Sequence, residues 1–177
     1  CVDRYYDYFL ERFPVLKDYL EEWNEIREMT YKREIFPSMR ALMTAGKAAD
    51  VDDTCLYNCS YVPINTIESF TDVLYILCCG TGVGFSCEKA ETEQLPSIPE
   101  IIRNEDEIIT IEDSRRGWAD GYGLLLHYLY KGIHPTWDTG LIRPKGTRLK
   151  TFGGRASGPE PLEKLFKFTV NLFYKNQ

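Results

Sequence analysis

The chain has 177 residues, 44% of them hydrophobic, 14% aromatic and 27% charged, a composition that supports a sizeable core and excludes intrinsic disorder. Its net charge is −6 and its pI about 5.1, with no long basic run, so a bare nucleic-acid polymer is not an expected partner. The longest apolar runs, past Val73 and Leu124, fall far short of the ~20 residues that span a bilayer, and no signal peptide is visible, so the reading is a soluble, cytoplasmic protein with no membrane partner.

In chain order, Tyr5, Tyr6, Phe9, Leu10, Phe13 and Leu16 recur at spacings of three and four, which predicts helix over 3–30, kinked or divided at Pro14. A second helical run carries Leu20, Trp23, Ile26 and Met29. Residues 36–46 read as a loop and short helix ending at Gly46, and 47–54 as a polar loop. CLYNCSYVPI (55–64) reads as a strand, SFTDVLYILCC (69–79) as a helix capped by Asn65 or Thr66, and GTGVGFSCE (80–88) as a glycine turn and strand. Residues 89–107 read as loop, 107–114 as a short strand, 117–132 as a helix capped by Asp113 or Ser114, and IHPTWD as a turn. A Gly-, Pro-, Arg- and Lys-rich loop (142–161) precedes a last amphipathic helix from Pro161. Alternating helix and strand argues an α/β fold.

Six cysteines are present: Cys1, Cys55, Cys59, Cys78, Cys79 and Cys87. In a cytosolic protein they should be mostly reduced. Cys55 and Cys59 lack a second pair or a nearby histidine, His127 and His134 being far along the chain, so no metal site is expected. Placed on one strand, the two thiols would share a face with Cα atoms ~13 Å apart, beyond reach of a disulfide. Both could be buried, or one could face a cavity. GTGVGF could be a structural turn or a backbone approach to an anion. Arg143, Lys145, Arg148, Lys150 and Arg155 form a cationic cluster among glycines, either an exposed loop or a site for nucleotide phosphates. The start at Cys1 rather than Met reads as trimming or excision from a longer protein.

Together PSMRALMTAG (37–46), CLYNCSYVPI (55–64), YILCCGTGVGFS (75–86), EDSRRGWADG (112–121) and IRPKGTRLKTFGGRASGPEPL (142–162) resemble, in order and spacing, blocks of adenosylcobalamin-dependent (class II) ribonucleotide reductases. The resemblance implies an N-terminal helical layer followed by the first part of a ten-stranded α/β barrel. It implies thiyl-radical reduction of ribonucleotides, with adenosylcobalamin in the complete enzyme, a deoxynucleotide effector, a thioredoxin-type reductant, and the remainder of the reductase chain as partners. By motif, Cys59 matches the first of two reducing cysteines. Ser38, Asn58 and Gly82 fall in the substrate-binding wall. Arg143, Lys145, Lys150, Arg155 and Ser157 fall in or beside the first effector loop.

The family's radical cysteine, its NPCGE-like motif and its second reducing cysteine have no counterpart here, so the expectation is a fragment inactive alone. Residues 88–141 resemble the insertion of monomeric ribonucleoside-triphosphate reductases. The expected division is therefore 1–50 helical, 51–88 first barrel strands and helix, 89–141 insertion, and 142–177 effector loop and helix. The insertion helix near 115–131 should pack on the helix near 161–175. The alternatives are a non-catalytic nucleotide-binding or assembly piece of a split reductase, and a thiol-redox or metal-binding protein.

Overall fold

The computed structural model describes residues 1–149 and 154–176. The chain divides into two compact units: Cys1–Ser60 with Cys79–Gly82, and Tyr61–Cys78 with Val83–Gln177.

The first unit opens with α1 (Val2–Arg12). Pro14 then does what its fixed φ and missing N–H dictate, ending that helix and starting a 3-10 turn (Pro14–Tyr19) that leads into α2 (Leu20–Tyr31). Tyr6 is the hinge of this pair. Its ring is buried against Trp23, centroids 4.9 Å apart, and its hydroxyl lies 2.8 Å from Thr30 Oγ1. Arg27 reaches back from α2 to Asp3 and to Asp7, the latter at 3.0 Å. Ser38 caps α3 (Met39–Thr44), its Oγ accepting from Ala41 N. Residues 47–54, expected as loop, instead form α4 (Lys47–Val51) and the start of a 3-10 turn (Asp53–Leu56). The turn winds because the Asp52 carboxylate accepts from Thr54 N at 3.0 Å.

The same turn corrects the strand expected over 55–64. Cys55 belongs to the 3-10 turn, and β1 is only Cys59–Pro63. β1 is followed by α5 (Ile67–Cys78) and β2 (Gly82–Ser86), which pairs with β1. Gly82 N donates to Asn58 O and Ile64 N donates to Ser86 O, so the two strands run in one direction, as a β-α-β crossover requires.

After a four-residue helix, α6 (Lys89–Thr92), a second such unit follows: β3 (Arg103–Thr110), α7 (Arg115–Tyr130) and β4 (Ile133–Asp138), with β3 and β4 parallel. IHPTWD is thus a strand and not the expected turn. β3 starts and ends four residues before the expected 107–114 stretch. Between Asn104↔His134 and Ile108↔Thr136 the β3 side carries two more residues than its partner, a bulge.

α8 (Glu160–Lys175) closes the second core. Its Leu162, Phe166, Val170 and Phe173 pack with Ile109, Ile111, Leu125, Leu126 and Leu129 in one buried cluster. Burying each such side chain contributes roughly 1.5–3 kcal/mol. The expected α7–α8 contact is present: the Tyr122 and Phe166 rings lie 6.0 Å apart, and Tyr122 OH sits 3.2 Å from Thr169 Oγ1. On its other side α7 lies close to α5, where a Cβ at Gly123 would fall 2.7 Å from Thr71 Oγ1.

The α/β class is as expected. The strands pair two by two among the described residues, so the ten-stranded barrel stays an expectation. No helix of the described residues is long and apolar enough to cross a membrane.

Candidate functional site

Two groups of candidate residues assemble, one in each unit. In the first, Ser38 and Asn58 meet directly, Asn58 Nδ2 donating to Ser38 Oγ at 3.1 Å. Gly82 N donates to Asn58 O at 2.9 Å, and Ser60 Oγ donates to Gly82 O at 3.3 Å. Cys59 follows Asn58 as the first residue of β1, with a free, exposed thiol. Ser38, Asn58, Cys59 and Gly82 are all exposed. Such a surface offers a hydroxyl, an amide and a thiol within one short stretch. Cys55 is free too, but fully buried, so the two thiols share no face and form no disulfide.

What holds this group is a set of bonds to backbone carbonyls. Arg40 Nε donates to Cys55 O at 3.1 Å and its NH2 donates to Cys79 O at 2.8 Å. Thr44 Oγ1 donates to the same Cys55 O at 3.1 Å. Thr81 Oγ1 lies 2.9 Å from the carbonyl oxygens of both Thr54 and Tyr57. Gly80, at φ +82, leaves room for the guanidinium, since a Cβ there would fall 2.0 Å from Arg40 NH2. The residues running into Asn58 and Cys59 are therefore pinned from α3 and from the turn after α5. The sequence did not single out Arg40, Thr44 or Thr81, although all three lie in the motifs that carry the resemblance.

In the second unit, Arg143, Arg155 and Ser157 line a cleft of about 580 Å³ together with Cys78, Asp113, Ser114, Arg115, Trp118 and Ile142. Arg143 is paired with Asp113 at 2.7 Å, and Arg155 NH1 donates to Gly146 O at 3.0 Å. Ser157 Oγ donates to Gly158 O at 3.1 Å. Burial pushes the Cys78 thiol pKa up, with Arg115 acting weakly the other way. Lys145 is not among the lining residues; its charge instead helps to hold the Glu160 carboxyl below the usual range, after the larger effect of Lys164. Lys150 lies outside the described residues. A cleft lined by arginines together with Trp118, Ile142 and Leu149 suits a ligand with an anionic part and an apolar part. Cys78, Asp113 and Trp118 were not among the expected ligand residues. Trp118 reads from its spacing as core, and it does pack against the buried cluster as well as lining the cleft.

Among the described residues no group of three or more His, Cys, Asp or Glu could hold a metal ion.

Comparison with known proteins gives a consistent set of relatives. A family model described as "B12-dependent ribonucleotide reductase, insertion domain" matches residues 92–172, covering most of both the expected insertion and the expected effector loop and helix. The adenosylcobalamin-dependent ribonucleoside-triphosphate reductase of Euglena gracilis is 34% identical over 119 residues, 63% of this chain and 16% of that protein. A probable enzyme of the same name from Dictyostelium discoideum is 31% identical over 168 residues, 82% of this chain and 22% of that protein. A putative one from Mycobacterium phage D29 is 48% identical over 59 residues, 31% of this chain and 8% of that protein. A crystal structure of a B12-dependent (class II) ribonucleotide reductase superposes with a TM-score of 0.80 at 20% identity, over 99% of this chain and 33% of that one. That likeness carries the fold. The chain spans about a sixth to a fifth of the length of the first two curated relatives.

Proposed function

This chain belongs to the B12-dependent (class II) ribonucleotide reductase family, and on that premise we propose that it supplies one reducing cysteine and the effector cleft of a ribonucleoside-triphosphate reductase, without completing the active site. Cys59 is the first reducing thiol. In the complete enzyme it ends in a disulfide with a second cysteine as the substrate loses its 2′-hydroxyl as water, and a thioredoxin-type dithiol restores it. Ser38, Asn58 and Gly82 bind the ribonucleotide beside it. Arg143, Lys145, Lys150, Arg155 and Ser157 serve a deoxynucleotide effector, which selects the substrate to be reduced.

The observation that supports this reading best is the hydrogen-bonded Ser38–Asn58–Gly82 group beside the exposed Cys59 thiol. Three residues taken from three separate motifs meet at one place, which motif order alone does not require.

Adenosylcobalamin, when bound in a complete reductase, supplies the radical that starts turnover. The cleft of about 580 Å³ is small for a corrin ring with its nucleotide tail, so the residues lining it do not fit that group. No step assigned to these residues therefore runs through the cofactor.

The test is deoxynucleotide synthesis. The pure chain, given CTP, adenosylcobalamin, thioredoxin and a deoxynucleotide effector, is expected to form no dCTP. In a full-length reductase carrying this segment, Cys59→Ser is expected to abolish turnover with thioredoxin. Robust dCTP formation by the pure chain, or full turnover by the Cys59→Ser reductase, would show these roles to be wrong.

A further inference from the structure

One ionic contact of the cleft joins two of its lining residues. Arg143 Nε donates to Asp113 Oδ2 at 2.7 Å, and Arg143 NH2 donates to the Asp113 backbone carbonyl at 3.2 Å. One guanidinium fork grips the side chain and the main chain of a single residue, which an ammonium group cannot copy.

Both residues are held from behind. Asp113 precedes the helix cap Ser114, whose Oγ accepts from Gly117 N at 2.8 Å. A Cβ at Gly117 would fall 2.7 Å from the Glu112 carbonyl oxygen, so this turn has little slack. Arg143 follows Ile142, a member of the buried cluster, and precedes Pro144. Past Pro144 the chain doubles back as a hairpin. Gly146 N donates to Ala156 O at 2.9 Å, Ala156 N to Thr147 O at 2.7 Å, and Leu149 N to Gly154 O at 3.0 Å. This hairpin carries Arg155, and Ser157 comes just after it. Arg143 thus stands where the core ends and the hairpin begins.

We propose that the Asp113–Arg143 pair is a staple. It fixes the base of the basic hairpin against the first turn of α7 and so presets the cleft. Arg143 acts through its hold on Asp113, as a positioning residue and not as a phosphate ligand. A loop ordered in advance binds more tightly, because its ordering cost no longer falls on the ligand. The proposal borrows from the functional reading above only the identity of the ligand; the staple itself stands on the geometry.

The competing role for Arg143, a cation masked by Asp113 until a phosphate displaces it, predicts the opposite sign for one variant. The 177-residue chain is compared with Asp113→Asn, Arg143→Gln and the double variant. In limited trypsin digestion, with cuts mapped by mass spectrometry, Lys145, Arg148 and Arg155 report on the hairpin. Each single variant is expected to be cut there about five-fold faster, the scale a partly screened pair supports, and the double variant no faster than either. Arg143→Lys, which keeps the charge and loses the fork, should be cut as fast as Arg143→Gln and serves if that variant does not fold.

In calorimetric titration with dATP, both single variants are expected to weaken binding by a similar factor, about three- to ten-fold, without further loss in the double. Cutting at the wild-type rate in the single variants overturns the staple. So does tighter dATP binding by Asp113→Asn, which would mark Arg143 as a masked ligand. A wild-type chain that binds no dATP overturns the nucleotide reading of the cleft, and the digestion then decides the staple by itself.

Discussion

In the unit that carries Cys59, many of the buried side chains are small, with Ala41, Ala45, Ala49, Cys55 and Cys79 among them, and the chain is steadied by Arg40, Thr44 and Thr81 gripping carbonyls. The unit that carries the cleft buries Leu125, Leu129, Leu162, Phe166 and Phe173 in one cluster, with the Trp137 and Phe166 rings 5.3 Å apart. Small side chains remove little apolar area from water, so they cannot fix a chain segment by burial alone. Directed hydrogen bonds to main-chain oxygens do that around Cys59, and they fix orientation as well as distance. Around the cleft the scaffold is set by packing, and hydrogen bonds are left to adjust its rim.

The largest effect should come from the packed side. Phe166→Ala is expected to cost about 3–5 kcal/mol, read from urea unfolding with an unchanged m-value. A loss below about 1 kcal/mol would mean that packing does not hold this unit, and the contrast would collapse.

The next concerns the polar side. Arg40→Met removes two charge-assisted bonds to main-chain carbonyls, and is expected to cost about 2–3 kcal/mol. It should also speed hydrogen exchange at the Gly82 amide, which is bonded to Asn58 O, more than at α1 and α2 amides. Uniform acceleration would show Arg40 to be a general stabiliser with no special hold on the Cys59 segment.

The smallest effect sharpens the packed side by pH. His134 Nδ1 lies 2.9 Å from Tyr174 OH, and burial lowers the His134 pKa from the ordinary 6.5. The unfolded chain then takes up this proton more readily than the folded one. The contribution of a neutral His134 is fully present above pH 6.5 and is lost as pH falls through the lowered folded pKa. His134→Gln should flatten that part of the stability–pH curve. An unchanged slope would place its origin elsewhere.

The legible parts of the fold were those where one period dominates. α5, α7 and α8 follow the 3.6-residue repeat, and Pro14 and Gly132 mark boundaries that the structure keeps. β4 was hidden because Pro135 sits in the middle of IHPTWD and reads as a turn, yet that proline is buried in a strand with its partner on one side. The start of β1 was misplaced because CLYNCSYV is uniformly rich in strand formers, while one carboxylate, Asp52, winds its first residues into a 3-10 turn. Of the site, Ser38, Asn58, Cys59 and Gly82 were reachable from motifs. Their mutual bonds were not, since residues 20 and 24 positions apart meet only through the fold. The Asp113–Arg143 pair was hidden for the same reason, its members lying 30 residues apart.

The glycines of α7 close off a common route to a hardier protein. On helix propensity alone, replacing Gly117 or Gly123 by alanine should strengthen the helix by about 1 kcal/mol each. Here the added methyl at 117 would meet the Glu112 main chain at 2.7 Å and the one at 123 would meet the stiff Thr71 side chain at 2.7 Å. The helix keeps a weaker intrinsic tendency to coil so that its neighbours can come close. An engineer seeking heat tolerance, or a consensus recipe that swaps glycine for alanine wherever a helix runs, would force open the turn before α7 at 117 and pry α5 and α7 apart at 123.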